Sequence, residues 1–172
     1  MDTPKIPNTS VETSLKWIAA RAWHDRAHPA VERWVRALVR SDVGARAKVA
    51  SVVDWVRSLC SNVDPTTAET LAGLPELLAG GVALVPIDAD DAVLIAATVC
   101  LTAGVECKVV GARFGHCWTC WLAYQDETGQ WVTVDAQTGE RAGERRVPDE
   151  QVIVDCPPDG PRGPSSDRWG ER

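Results

Sequence analysis

The chain has 172 residues, an apolar fraction of 45% and a formal net charge of −6 at neutral pH, which is enough for one domain with a real core. The acidic balance argues against nucleic acid as a partner, because phosphate binding needs a concentrated basic surface. No long uncharged apolar run is present, so no membrane span is expected. Arg141, Arg145 and Arg146 gather near one another, but Glu140 and Glu144 are interleaved with them, and the stretch reads as a solvated loop. Met1 to Asn8 carries no apolar segment behind a basic start, so no secretory leader is expected. The six cysteines (Cys60, Cys100, Cys107, Cys117, Cys120 and Cys156) then read as reduced thiols of a cytoplasmic protein. Most lie in apolar runs, where cysteine behaves as a small hydrophobe.

In chain order, residues 1–8 read as a flexible terminus, and a single domain is expected over residues 9–156. A helix from Thr9 places Leu15, Ile18, Ala19 and Ala22 on one face. His24 and His28 stand four apart and could share a helix face suited to a metal, but no carboxylate or cysteine joins them in a recognised pattern, and they read as surface histidines. A second helix starts at Pro29, with Val31, Trp34, Val35, Leu38 and Val39 as its stripe, and breaks at Ser41 to Gly44. The third carries Val49, Val52, Val53, Val56 and Cys60 on one face. A short helix is expected over Thr67 to Leu78, bracketed by Pro75 and Gly80-Gly81, serving either as a cleft wall or as a packed connection.

The next stretch is the most structured. Asp88 reads as an N-cap, with Asp91 three residues on in the manner of a capping box. The following run, Ala92 to Val99, leaves almost no polar face, as expected of a helix packed on all sides until Gly104 ends it. An apolar strand follows around Cys107 to Val110, then a second from His116 to Tyr124, a polar hairpin loop over Gln125 to Gln130, and a third strand from Trp131 to Asp135. Alternation keeps His116, Trp118, Cys120, Leu122 and Tyr124 together on one face of their strand, and Trp131, Thr133 and Asp135 together on one face of theirs. If Trp118 or Cys120 lies opposite Asp135, His116 and Asp135 share a sheet face. The alternative to a shared site is that His116 is a core histidine and Asp135 a strand-end turn former. Cys117-Trp118-Thr119-Cys120 could be a redox pair or, with Cys107 and His116, a zinc site, but strand residues three apart point to opposite faces. The tail over residues 157–172, rich in Pro, Gly and Ser, reads as disordered.

The letters Ile87-Asp88-Ala89-Asp90-Asp91, then His116-Cys117-Trp118, then Trp131-Val132-Thr133-Val134-Asp135 resemble, in order and over roughly residues 45–140, the motifs of the transglutaminase-like superfamily of bacterial and phage type. Ala89 stands where that family has its nucleophilic cysteine, and Ile87 where it has a glycine. The resemblance implies an α+β fold: N-terminal helices and a buried nucleophile-bearing helix on an antiparallel sheet, in a papain-like core. It implies cysteine-dependent chemistry on an amide bond of a peptide or protein through a thioester. The nucleophile would stand at position 89, His116 would be general base and acid, and Asp135 would orient the imidazole. Hydrolysis would make it a peptidase; an amine acceptor would make it a transglutaminase. No cofactor, metal or membrane is implied, and Trp118 would line the substrate cleft. With alanine at position 89 the chain is either an inactivated form of such an enzyme or a natural pseudoenzyme that binds a peptide or protein.

Overall fold

The computed structural model describes residues 10–60, 73–80, 87–141 and 147–157. Within them lie five helices and a four-stranded antiparallel sheet, an α+β arrangement. The expected flexible start and disordered tail fall outside the described residues, apart from Pro157.

Helix α1 (Val11–Asp25) buries Leu15, Ile18, Ala19 and Ala22, the face its spacing predicts, and adds Asp25. Helix α2 (Pro29–Leu38) starts on its proline, where a missing N–H costs nothing, and buries Val31 and Val35. Helix α3 (Ala45–Leu59) buries Val49, Val52, Val53 and Val56, with Cys60 as its extended C-cap rather than a helical residue. Helix α4 (Leu74–Gly80) is shorter than expected, and residues 67–72 lie outside the described ones. Pro75 stands inside its first turn instead of bounding it, a position where the ring's fixed φ suits the helix.

Helix α5 (Ala89–Thr102) is the centre of the molecule. Every residue from Asp91 to Cys100 is buried, and the helix packs against α1, α3, α2, α4 and the first two strands. Its chain turns out through Gly104, whose φ of +75° is a conformation that side chains disfavour.

Strand β1 (Cys107–Phe114) forms a hairpin with β2 (Cys117–Gln125), pairing Phe114 with Cys117 and Cys107 with Tyr124. Strand β3 (Trp131–Val134) joins the far edge of β2, and β4 (Glu150–Asp155) joins the other side of β1, giving the order β3-β2-β1-β4. Sequence reading holds no expectation for β4, a six-residue run whose inward positions are Val152 and Val154 while Ile153 is exposed. The inner sheet face (Val109, Cys120, Leu122, Val134 and Val154) completes the core around α5. Trp121, Val110, Ala112 and Ala123 make a smaller cluster on the opposite face.

The β2–β3 loop is fixed by one buried carboxylate. Asp126 Oδ1 accepts hydrogen bonds from the Thr128 hydroxyl at 2.6 Å and from the N–H groups of Thr128 and Gln130. Its Oδ2 accepts two from the guanidinium of Arg46 in the first turn of α3. The Thr128 hydroxyl foremost, with Arg46, holds this carboxyl well below its ordinary value of 3.8. The folded state therefore favours the ionised form, and the resulting stabilisation is complete above the unfolded pKa and is lost as pH falls below it. Replacing Asp126 with Asn should lower the urea midpoint at neutral pH and flatten its further fall between about pH 5 and pH 2. An unchanged acid profile in Asp126→Asn would exclude this carboxylate as an anchor.

Candidate functional site

The N-terminus of α5 forms as its sequence predicts. Asp88 is extended, and its Oδ1 accepts from the N–H of Asp90 at 3.0 Å and of Asp91 at 3.1 Å. Ala89 is the first helical residue and is half-buried. Its backbone N–H has no hydrogen-bond partner among the described residues. Asp88, Asp90 and Asp91 lie at the positive end of the helix dipole, where negative charge is favoured.

Two cysteines face this mouth. Cys120 of β2 is buried, close to Asp90. Burial foremost, then the charge of Asp90, pushes that thiol far up, so it stays protonated. Cys60, the C-cap of α3, is half-buried, and its pKa is raised by burial first and then by the charges of Asp135, Asp88 and Asp91. The end of α3, the mouth of α5 and the turn after β3 therefore converge. Sequence reading placed both cysteines among small hydrophobes. The signal for Cys120 was its shared parity with His116 and Trp118; for Cys60 it was its place closing the apolar stripe of α3.

Asp135 stands just past β3 instead of closing it. The β2–β3 register sets Val134 opposite Leu122, so Asp135 continues toward Trp121, not toward Trp118 or Cys120 as either expected register required. Its Oδ1 accepts from the N–H of Gln137 at 2.8 Å and of Thr138 at 3.2 Å, and its own N–H donates to the Glu140 carbonyl. This is the local bonding of a turn former.

His116 does not open β2. It stands with Gly115 in the turn between β1 and β2, where Gly115 takes a φ of +65°. The turn is held by the Gly115 N–H donating to Asp149 Oδ2 at 2.6 Å and by Arg113 Nη1 donating to the Gly115 carbonyl at 2.9 Å. His116 is exposed. Cys120 lies four positions further along, about 13 Å at the rise of a strand. Asp135 thus lies near the helix mouth, whereas His116 is displaced from it toward the hairpin tip. Trp118 is 37% exposed. Its ring edge lies near Gly111, where a Cβ would stand 2.9 Å from Leu15 Cδ1 and 3.6 Å from Trp118 Cε3, so it packs beside α1.

No cluster of three or more His, Cys, Asp or Glu that could hold a metal ion occurs among the described residues. Cys117 is exposed and Cys120 buried, on opposite faces of β2. His24 and His28 do not share a helix: α1 ends at Asp25, and His28 is the N-cap of α2, its Nδ1 accepting from the Ala30 N–H. No described helix is long and apolar enough to cross a membrane.

A cavity of about 690 Å³ opens at the other end of α5, between α2, α3 and residues Leu101 to Ala103, roughly 20 Å from Ala89. Two of the cations that line it serve the structure: Lys48 Nζ donates to the Ala103 carbonyl at 3.1 Å, and Arg40 is held by both oxygens of Asp42. They complement the negative end of the helix dipole.

A scan against protein-family models finds no match to this chain, and a search of curated proteins finds none either.

The turn role of Asp135 is testable directly. Asp135→Asn keeps a side-chain acceptor for Gln137 and Thr138 and should unfold in urea close to the parent. Asp135→Ala should lose about 0.5–2 kcal/mol, the usual cost of removing such a side-chain-to-backbone bond. Equal unfolding of all three proteins would mean that the turn does not need this carboxylate.

Proposed function

We propose that the chain is a peptide- or protein-binding module built on a transglutaminase-like, papain-like core whose catalytic centre is not assembled. The observation that carries this reading is the strand position that meets the helix mouth: it is Cys120, beside Asp90, and not His116. A general base acts only within about 2.6–3.2 Å of its proton, or through one water, and His116 is about four strand residues away. The field at the mouth supports the same reading. Burial first, and then the charges of Asp135, Asp88 and Asp91, raise the pKa of the nearest half-buried thiol, Cys60, whereas a nucleophilic cysteine needs a lowered one. Negative charge gathered at the helix mouth favours a ligand segment carrying lysine, arginine or a free amine.

A second reading rests on the N–H of Ala89 at the start of α5, which has no partner among the described residues, the place and type of group that stabilises an oxyanion. In it the parent protein attacks a carboxamide with a thiol at position 89. His116 would take and return the proton, and Asp135 would orient the ring, after the β1–β2 tip has moved toward the mouth. A thioester would form, resolved by water or by an amine.

One experiment separates the two. In Ala89→Cys, site-resolved alkylation by iodoacetamide is followed against pH by mass spectrometry, alone and with His116→Ala. The binding-module reading expects slow labelling at residue 89 that His116→Ala leaves unchanged. Rapid labelling at mildly acidic pH that slows at least about tenfold in His116→Ala would overturn it in favour of the enzyme, because it would require a thiolate–imidazolium pair.

A further inference from the structure

Cys107 opens β1, and Cys156 directly follows β4. The β1–β4 register pairs Lys108 with Asp155, so one further step sets Cys107 opposite Cys156. Both belong to the inner face of the sheet: Cys107 is a member of the core, and Cys156 packs against that core half-buried. Cys107 Sγ donates to the Ala97 carbonyl at 3.8 Å, and the Cys107 thiol is raised well above its ordinary value by the neighbouring Cys156 thiol first and by burial second. Directly opposed residues of an antiparallel pair hold their Cβ atoms about 4.5–5.5 Å apart, while a disulfide needs about 3.5–4.5 Å. Cys156 lies beyond the last ladder pair of β4, where the strand has already bent away from regular pairing, and that end can supply the small approach required. β4 is an edge strand, bonded in the sheet to β1 alone.

We propose that Cys107 and Cys156 are a disulfide-forming site, a reversible staple of β4 onto β1 closed by a hydroperoxide. Cys156, the more accessible of the two, is oxidised first. Its sulfur attacks one oxygen of hydrogen peroxide, the O–O bond breaks, and the thiol proton leaves with the departing oxygen as water, giving a sulfenic acid. The Cys107 sulfur then attacks that sulfur, the S–O bond breaks, and the hydroxide released takes the Cys107 proton as a second water. Two thiols have lost one electron pair, and one peroxide has been reduced to two waters. A dithiol reductant reverses the bond by exchange. Cys100 of α5 is the neighbouring thiol that could compete, but it is fully buried on the helix and is not a cross-strand partner of Cys156.

The closed bond would shorten a loop of roughly 50 residues in the unfolded chain and so stabilise the folded one. The full-length chain, kept dilute, is treated with hydrogen peroxide, its remaining thiols are blocked, and it is mapped by non-reducing peptide mass spectrometry alongside thermal unfolding. The expected result is a Cys107–Cys156 linked peptide and a melting temperature raised by about 5–10 °C. Dithiothreitol should reverse both changes, Cys156→Ser should abolish both, and Cys100→Ser should retain them. A link from Cys156 to Cys100, or accumulation of sulfinic acid at Cys156 with no linked peptide, would overturn the proposal.

Discussion

The burial of α5 is the constraint on which the rest depends. A helix whose residues from Asp91 to Cys100 are all shielded from water must be surrounded, and four helices with the inner face of the sheet supply that surround. Its few polar groups are met locally. Thr98 Oγ1 donates to the Leu94 carbonyl and Thr102 Oγ1 to those of Thr98 and, just past α1, Arg26, so each hydroxyl is satisfied, the first wholly within the helix. Both ends carry complementary charge, acidic at Asp88 to Asp91 and basic at Lys48, as the helix dipole favours.

That charge arrangement decides what a sulfur at the mouth can do. A helix N-terminus alone lowers a thiol's pKa. Here burial foremost, and then the charges crowded round that terminus, oppose the dipole, so Cys60 and Cys120 both shift upward. The same carboxylates that cap the helix therefore work against thiolate chemistry in the side chains nearest to it.

The hairpin tip is the second deciding feature. A turn made of Gly115 and His116 leaves no room for His116 within the ladder, because Phe114 and Cys117 are already paired. The left-handed φ of Gly115 makes so short a turn possible, and Asp149 and Arg113 tie it to the approach to β4. Moving His116 inward would break those bonds, which gives the second functional reading a definite structural cost.

Much of this was legible in the sequence. The apolar spacing of α1, α2 and α3 named the buried faces, because a helix's 3.6-residue period depends only on local geometry. Asp88 named the start of α5 and Gly104 its end, since caps and left-handed turns are properties of a few adjacent residues. The alternation along β2 named Cys120, Leu122 and Tyr124 as one face. Local pattern could not say where β1 ends, that β4 exists, or which residue of β3 stands opposite which of β2. Those are pairings between distant segments, and a slip of one residue changes the face of every side chain. His116 and Asp135 therefore had the residue types for a catalytic pair, while their places were set elsewhere. A glycine turn put one at the hairpin tip, and the Leu122–Val134 register put the other in a turn beside the helix mouth.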